Sequence, residues 1–104
     1  MNHLEDYQIP YGVIGIIIEI YNDHLRIQDI INNSPGWLAG LQINDIIKSV
    51  DGISTNGMVL EEAVSLIKGD IGTFVILTIQ REDVLEQIQF EINRAWIFPC
   101  LNIK

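Results

Sequence analysis

The sequence predicts a mainly β protein with two helices (α+β), arranged as a small, partly open antiparallel β-barrel or sandwich. Six short segments have the alternation or the β-branched composition of strands, and two have helical character. A parallel α/β sheet would need a helix between most successive strands, and this order of segments does not provide them. The antiparallel arrangement is therefore favoured.

The first two strands are expected to form a hairpin. Val13–Tyr21 is rich in β-branched residues and ends at Asn22-Asp23, a turn signal. His24–Ile31 then alternates apolar and polar residues over most of its length, which indicates a second strand.

A short helix and a third strand follow the hairpin. Ser34 and Pro35 are residue types favoured at the N-cap and at the first position of a helix, and this helix should end near Gly40. Asp45–Val50 is a short apolar strand.

The segment after the third strand changes from a period of two to a helical period. Asp51-Gly52 suits a tight turn with positive φ and precedes a brief strand at Ile53. Met58–Lys68 is predicted as a helix that stops at Gly69. Its apolar face is formed by Leu60, Ala63, Val64 and Ile67.

Two further strands complete the predicted fold. Thr73–Arg81 is apolar on both of its alternating faces, and Glu82-Asp83 turns the chain. Val84–Asn93 alternates apolar and polar residues in its second half. We therefore expect strand, strand, short helix, strand, short strand, helix, strand and strand.

Composition excludes several classes of function. The chain has 104 residues and a net charge of −8, so it has no basic surface for nucleic acid or for an anionic membrane. The apolar run Val13–Ile20 is too short to cross a bilayer, and Glu19 interrupts it. With the single cysteine Cys100, neither an internal disulfide nor a multi-cysteine zinc site is expected.

Catalytic patterns are weak. Ser65 and Lys68 match the S-x-x-K element of penicillin-binding proteins, but the companion elements are missing, so a solvated helix edge is the preferred interpretation. His3 and His24 have no metal-ligand spacing and no paired acid. We expect no catalytic residue, no metal and no cofactor on this chain.

The start of the first strand is the better candidate for a site. Gly12 and Gly15 permit a loop whose backbone N–H groups converge as a small anion-binding nest. A free strand edge beside an apolar trough can receive an extended peptide as an added strand, with its terminal carboxylate in the nest. The proposed trough walls are Ile14, Ile16 and Ile18 on the strand with Leu60, Val64 and Ile67 on the helix. The alternative interpretation is that these residues form ordinary core.

Several motifs in succession resemble the PDZ domain of C-terminal processing (tail-specific) serine proteases, of the permuted bacterial kind. Gly12 to Ile16 stands where that family has GGIGI, and Ser34 to Ile47 resembles SPAxxAGLxxGDxI. Leu60 to Arg81 resembles LEEAVxLIxGxxGTxVxLTIxR, and Arg94 to Pro99 is similar to the link into the protease core. The resemblance implies an N-terminal extension (1–10), a PDZ domain (11–94) and an exit linker (95–104).

The resemblance also implies a function: capture of the C-terminal end of a polypeptide between the first strand and the second helix. Backbone N–H groups around Val13 to Ile16 would hold the carboxylate. An aliphatic Leu60, where many PDZ domains have histidine, implies apolar ligand ends. Val13 in place of a loop glycine would stiffen the nest, and Asn44 replaces a glycine that asparagine can mimic at positive φ.

What surrounds this module is also implied only by the resemblance. The catalytic serine and lysine of such proteases lie in a separate core domain of the same longer chain, so this chain is expected to be inactive alone and to recruit substrate or gate that core. The family implies export to the periplasm or cell envelope, although no signal peptide is visible. Two alternatives remain: a free-standing adaptor or secretion-system component, and a regulatory domain whose groove binds its own chain.

Overall fold

The computed structural model describes residues 12–96. The predicted extension (1–10), Tyr11, Cys100 and the rest of 97–104 lie outside the described residues. The elements are β1 Ile16–Tyr21, β2 His24–Ile30, α1 Pro35–Ala39, β3 Ile46–Val50, β4 Ile53–Ser54, α2 Leu60–Ile67, β5 Phe74–Gln80 and β6 Ile88–Asn93.

The strands form one open antiparallel sheet, which confirms the predicted fold class. The order is β1-β2-β3-β5-β6, and β4 pairs with β3. The sheet is open, with β1 at one end of this order. No helix among residues 12–96 is long and apolar enough to cross a membrane.

The core lies on one face of this sheet. On β5, Val75, Leu77 and Ile79 are fully buried, whereas Phe74 and Ile76 on the opposite face are exposed. The alternation therefore separates the two faces even though both are apolar in sequence. The buried apolar residues are Ile14, Leu25, Ile27, Leu41, Ile47, Val50, Ala63, Ile67, Val75, Leu77, Ile79 and Ile92.

Residues with positive φ form the turns that the sequence predicts. Asn22 and Asp23 have φ of 52° and 66°, and together they close the β1–β2 hairpin as a type I′ turn. Asp51 and Gly52 also have positive φ. Asn44 has φ of 79°, so asparagine takes the left-handed conformation as expected.

The caps of α1 follow the prediction, but the end of α2 does not. Ser34 Oγ accepts a hydrogen bond from the Trp37 N–H at 3.3 Å, and Gly40 ends α1 with φ of 102°. Helix α2 ends at Ile67, and Lys68 after it is extended. Gly69 does not have the positive φ of a glycine cap. The prediction that Gly69 stops this helix by its conformation is therefore wrong.

An ion pair between a buried carboxylate and a partly exposed guanidinium fixes the loop between α1 and β3. The guanidinium of Arg81 binds both carboxylate oxygens of Asp45, at 2.9 and 2.8 Å, and also donates to the Gly40 carbonyl. Asp45 is 1% exposed and also accepts from the Gln42 N–H. The hydrogen bond and charge of Asp45 raise the pKa of Arg81 above its ordinary value, partly opposed by burial. The guanidinium of Arg81 therefore stays protonated throughout the neutral range.

Candidate functional site

The outer edge of β1 presents backbone hydrogen-bonding groups. The Gly15 carbonyl accepts from the Ile31 N–H at 2.8 Å, so the pair formed by Ile16 and Ile30 is of the non-hydrogen-bonded type. The N–H and C=O of Ile16 consequently point away from β2. The register shifts between Ile17 and Ile18, but counting back along β1 from the hydrogen-bonded pair Tyr21–His24 at the two-residue turn again directs the backbone groups of Ile18 outward. Among residues 12–96, no strand pairs with this edge.

A small cleft lies between this edge and α2. Its volume is about 130 Å³, close to the roughly 150 Å³ of an engineered apolar protein cavity that binds benzene. It is therefore large enough for an aliphatic side chain. Its lining residues are Val13, Ile14, Gly15, Ile16, Ile18, Val64, Ile67 and Lys68.

The loop Ile14–Ile16 forms one end of the cleft. Gly15 has φ of 86°, a conformation that favours glycine and turns the chain into β1. The Ile14 side chain is 1% exposed and anchors the loop in the core, while its carbonyl accepts from the Gly36 N–H at 2.8 Å. Within the described part of the chain, no acceptor binds the N–H of Ile14 or of Gly15. With the outward N–H of Ile16, this loop offers three donors.

Val13 differs from the other residues of the expected nest in the hydrogen bonding of its backbone. Its N–H donates to the Ala95 carbonyl at 2.8 Å, and the Ala95 N–H donates back to the Val13 carbonyl at 3.0 Å. This two-way bridge engages the backbone of Val13, so the N–H groups that lack an acceptor among residues 12–96 begin at Ile14. Val13 is nevertheless one of the residues that line the cleft.

Two of the nine site residues expected from the sequence lie beside the cleft and do not line it. Gly12 pairs with Gly69 through both backbone groups, and a Cβ on Gly12 would lie 2.7 Å from Arg94 Cβ. The absence of a side chain at Gly12 is thus needed for close packing. Leu60 begins α2, one helical turn before Val64, and is 36% exposed.

Lys68 lines the cleft although it was not among the expected site residues. Its position directly after Ile67, at the end of the apolar helix face, is the sequence signal that could have identified it. Ser65, its partner in the S-x-x-K pattern, is exposed. No group of three histidine, cysteine, aspartate or glutamate residues within 12–96 is arranged to hold a metal ion.

Comparison with known proteins identifies this arrangement. The sequence model described as PDZ domain matches residues 26–81. The Carboxy-terminal-processing protease of Bartonella bacilliformis is 32% identical over 84 residues, which cover 81% of this chain and 19% of that protein. The Carboxy-terminal processing protease CtpB of Bacillus subtilis is 37% identical over 84 residues, covering 81% of this chain and 18% of that protein.

Solved structures agree with the sequence comparison. The PDZ domain of a carboxy-terminal protease from Vibrio cholerae, in complex with peptide, is 27% identical with a TM-score of 0.73, covering 82% of this chain and 93% of that one. A photosystem II D1 C-terminal processing protease shares the fold at a TM-score of 0.81 and 18% identity, covering 90% of this chain and 26% of that one.

The extent of these matches indicates which part of such a protein the chain represents. It spans about a fifth of the length of the curated relatives it matches. The match is to their PDZ part, which is not the catalytic part, so this chain corresponds to a non-catalytic module. The family model covers more than half of the chain, and the chain therefore belongs to the PDZ domain family, in the group found in carboxy-terminal processing proteases.

Proposed function

We propose that this chain is a peptide-binding module that captures the C-terminal end of a polypeptide by strand addition. The observation that carries the proposal is the edge of β1, where Ile16 and Ile18 direct backbone groups toward open space beside an apolar cleft. An extended peptide placed along this edge would continue the antiparallel sheet, and its backbone would supply the missing hydrogen-bond partners.

The loop Ile14–Ile16 would hold the terminal carboxylate. Three N–H groups that converge on an anion make short, charge-assisted hydrogen bonds. Lys68 lies at the same cleft and adds positive charge near that point. A terminal amide lacks the negative charge, so binding should depend on a free carboxylate.

The cleft would take an apolar terminal side chain. Its walls include Ile16, Val64 and Ile67, and its volume of about 130 Å³ suits one aliphatic group. Leu60 precedes Val64 by one helical turn and would contact a ligand side chain further from the carboxylate. We accordingly propose a ligand with apolar residues at its end.

The relatives suggest where such capture is used. Their names describe carboxy-terminal processing proteases, and the related domain from Vibrio cholerae is described in complex with peptide. We propose that the module recruits substrate to, or gates, a serine protease core in a longer exported protein of the periplasm or cell envelope. Its partners would be the C-terminal peptides of protein substrates and that core.

Titration of the ¹⁵N-labelled domain tests the proposal. One short peptide with an apolar end is added as the free acid and, separately, as the C-terminal amide. We expect amide shifts in Ile14, Gly15, Ile16 and Ile18 with the acid, and at least about tenfold weaker binding of the amide. No shifts, or equal shifts with both peptides, would contradict carboxylate capture.

Two neighbouring residues on α2 provide a matched pair of variants. Val64 lines the cleft, whereas Ser65 beside it is exposed. Val64→Ala should weaken peptide binding about tenfold, because apolar contacts worth about 1–2 kcal/mol are lost. Ser65→Ala should leave binding unchanged, and the unsubstituted chain should have no peptidase activity for this change to remove.

A further inference from the structure

Arg94 directly follows β6, and its residue surface is only 8% exposed. A buried guanidinium is unfavourable unless its donors are satisfied. The nearest carboxylate oxygen among residues 12–96, on Asp51, is 4.0 Å away. Backbone carbonyls and one hydroxyl bind this cation at shorter distances.

These acceptors belong to two separate elements. Arg94 Nε donates to the Ile67 carbonyl at 2.9 Å, and Nη2 donates to the Leu66 carbonyl at 3.2 Å. Nη1 donates to Thr73 Oγ1 at 2.9 Å and to the Phe74 carbonyl at 3.0 Å. One side chain therefore joins the last turn of α2 to the start of β5.

The end of α2 has no glycine cap of its own, because Lys68 is extended and Gly69 lacks positive φ. The last carbonyls of a helix have no partner within the helix, and a cation is favoured at that end. Arg94 supplies both the donors and the charge. It thus replaces the cap that the sequence predicts at Gly69.

The same side chain packs against the segment after α2 and against the segment that leads into the loop Ile14–Ile16. A Cβ on Gly12 would lie 2.7 Å from Arg94 Cβ, and a Cβ on Gly69 would lie 2.6 Å from Arg94 Cζ. Gly12 and Gly69 are bridged by backbone hydrogen bonds directly beside it. Arg94 therefore packs against Gly12 and Gly69, which adjoin the cleft-lining residues Val13 and Lys68.

We propose that Arg94 is a positioning residue for the peptide site: it sets the distance between the last turn of α2 and the loop Ile14–Ile16. The terminal carboxylate and the terminal side chain of one ligand residue must reach the loop and Ile67 at the same time. A shift of the helix end would separate these two contacts. This inference rests on the proposed function, because it assigns Arg94 a role in that same site.

The test compares Arg94→Lys with Arg81→Lys. Both changes keep a positive charge and remove the planar fork, but Arg81 binds Asp45 and lies in another part of the fold. Affinities for the acid and amide forms of one apolar-ended peptide are measured for each variant. We expect Arg94→Lys to weaken acid binding at least tenfold and to bring the two affinities close to each other. Arg81→Lys should lower the thermal midpoint and leave the acid-to-amide ratio within twofold of the unsubstituted value.

A milder variant covers the case in which Arg94→Lys does not fold. Thr73→Val removes one acceptor of Nη1 and leaves the Phe74 carbonyl in place, so a smaller decrease of about threefold in the acid-to-amide ratio is expected. An unchanged ratio in a folded Arg94→Lys, or in Thr73→Val where the lysine variant is unfolded, would overturn the assignment.

A further readout separates failure of this inference from failure of the proposed function. If the unsubstituted domain binds both peptides equally, the proposed function fails. The positioning role of Arg94 is then tested by NMR in the absence of peptide. Arg94→Lys, or Thr73→Val in its place, should shift the amide resonances of Gly12 and Gly69 and the methyl resonances of Ile14 and Val64, which line the cleft. Unchanged resonances would overturn the positioning role itself.

Discussion

The backbone N–H of Gly36, inside α1, donates to the carbonyl oxygen of Ile14 at 2.8 Å and so ties the candidate carboxylate loop to this helix. A Cβ on Gly36 would lie 2.9 Å from that same oxygen and 3.1 Å from Ile16 Cγ2. Alanine, which stands here in the family pattern that the sequence resembles, would thus press on the loop.

Gly36→Ala should therefore destabilise the domain, contrary to the usual effect within a helix. Alanine normally gains about 0.5–1 kcal/mol over glycine, but overpacking costs about 1–3 kcal/mol. We expect a net loss of about 1 kcal/mol in urea unfolding, with shifted amide resonances at Ile14 and Ile16. Ala39→Gly, in the same helix, is the control. It should lower the free energy of unfolding by the about 0.5–1 kcal/mol that glycine usually costs relative to alanine in a helix. A more stable Gly36→Ala would contradict the packing argument.

Val13→Gly tests whether valine weakens the nest, as the sequence comparison suggests. Because both backbone groups of Val13 are bonded to Ala95, glycine adds no donor to the cleft. We expect a loss of about 1–2 kcal/mol in stability, from chain entropy and from lost apolar contact. Peptide binding, measured by calorimetry, should not become tighter. Tighter binding would show that flexibility at this position limits the site.

Arg81→Met should be among the most destabilising changes, because it leaves the Asp45 carboxylate buried without its cation. The loss is expected to be about 3 kcal/mol in urea unfolding. The double variant Asp45→Asn with Arg81→Met should recover part of this lost stability, because the asparagine side chain carries no charge. A double variant no more stable than Arg81→Met would argue against an unpaired buried charge as the cause.

The pH dependence of this pair follows from the raised pKa of Arg81. Because the pKa of Arg81 is higher in the folded than in the unfolded state, its charge stabilises the fold at every pH below the pKa of arginine in the unfolded chain. This contribution is lost only as the pH rises above that pKa. The stability difference between the unsubstituted protein and Arg81→Met should thus persist from about pH 6 to about pH 10. A marked decrease within this range would contradict the assignment.

Asp23→Gly should stabilise the β1–β2 hairpin. Asn22 and Asp23 both have positive φ, and the left-handed conformation is costly for residues with a side chain. Asparagine followed by glycine is the preferred sequence for this turn, so a gain of about 0.5–1 kcal/mol in thermal unfolding is expected. Asp23→Ala, which has a Cβ but no local polar group, should lower stability instead.

Local patterns predicted most of the fold because they depend on near neighbours in the chain. Asn22-Asp23 placed the turn of the β1–β2 hairpin, and Ser34-Pro35 placed the start of α1. The first strand begins at Ile16 and not at Val13, because the positive φ of Gly15 interrupts the extended backbone. A continuous apolar run does not reveal such a break.

Contacts between distant residues could not be predicted in this way. Arg94 caps a helix that ends 27 residues earlier, and Arg81 binds Asp45 across 36 residues. Neither of these two pairings is indicated by the spacing of the residues in the sequence or by their composition. The expected cleft residues on β1 and α2 came from periodicity and resemblance, whereas the packing role of Gly12 depends on Arg94 and is visible only in three dimensions.

The bridge between Val13 and Ala95 determines the shortest piece of this chain that can be studied usefully. The family match ends at residue 81, and a boundary placed after Arg94 would still remove the hydrogen-bond partner of Val13. Such truncations would release the strand that leads into the loop Ile14–Ile16. Expression fragments and domain grafts should accordingly extend at least from Gly12 to Trp96. Loss of peptide binding in a shorter fragment would reflect the loss of the Val13–Ala95 hydrogen bonds that support the site.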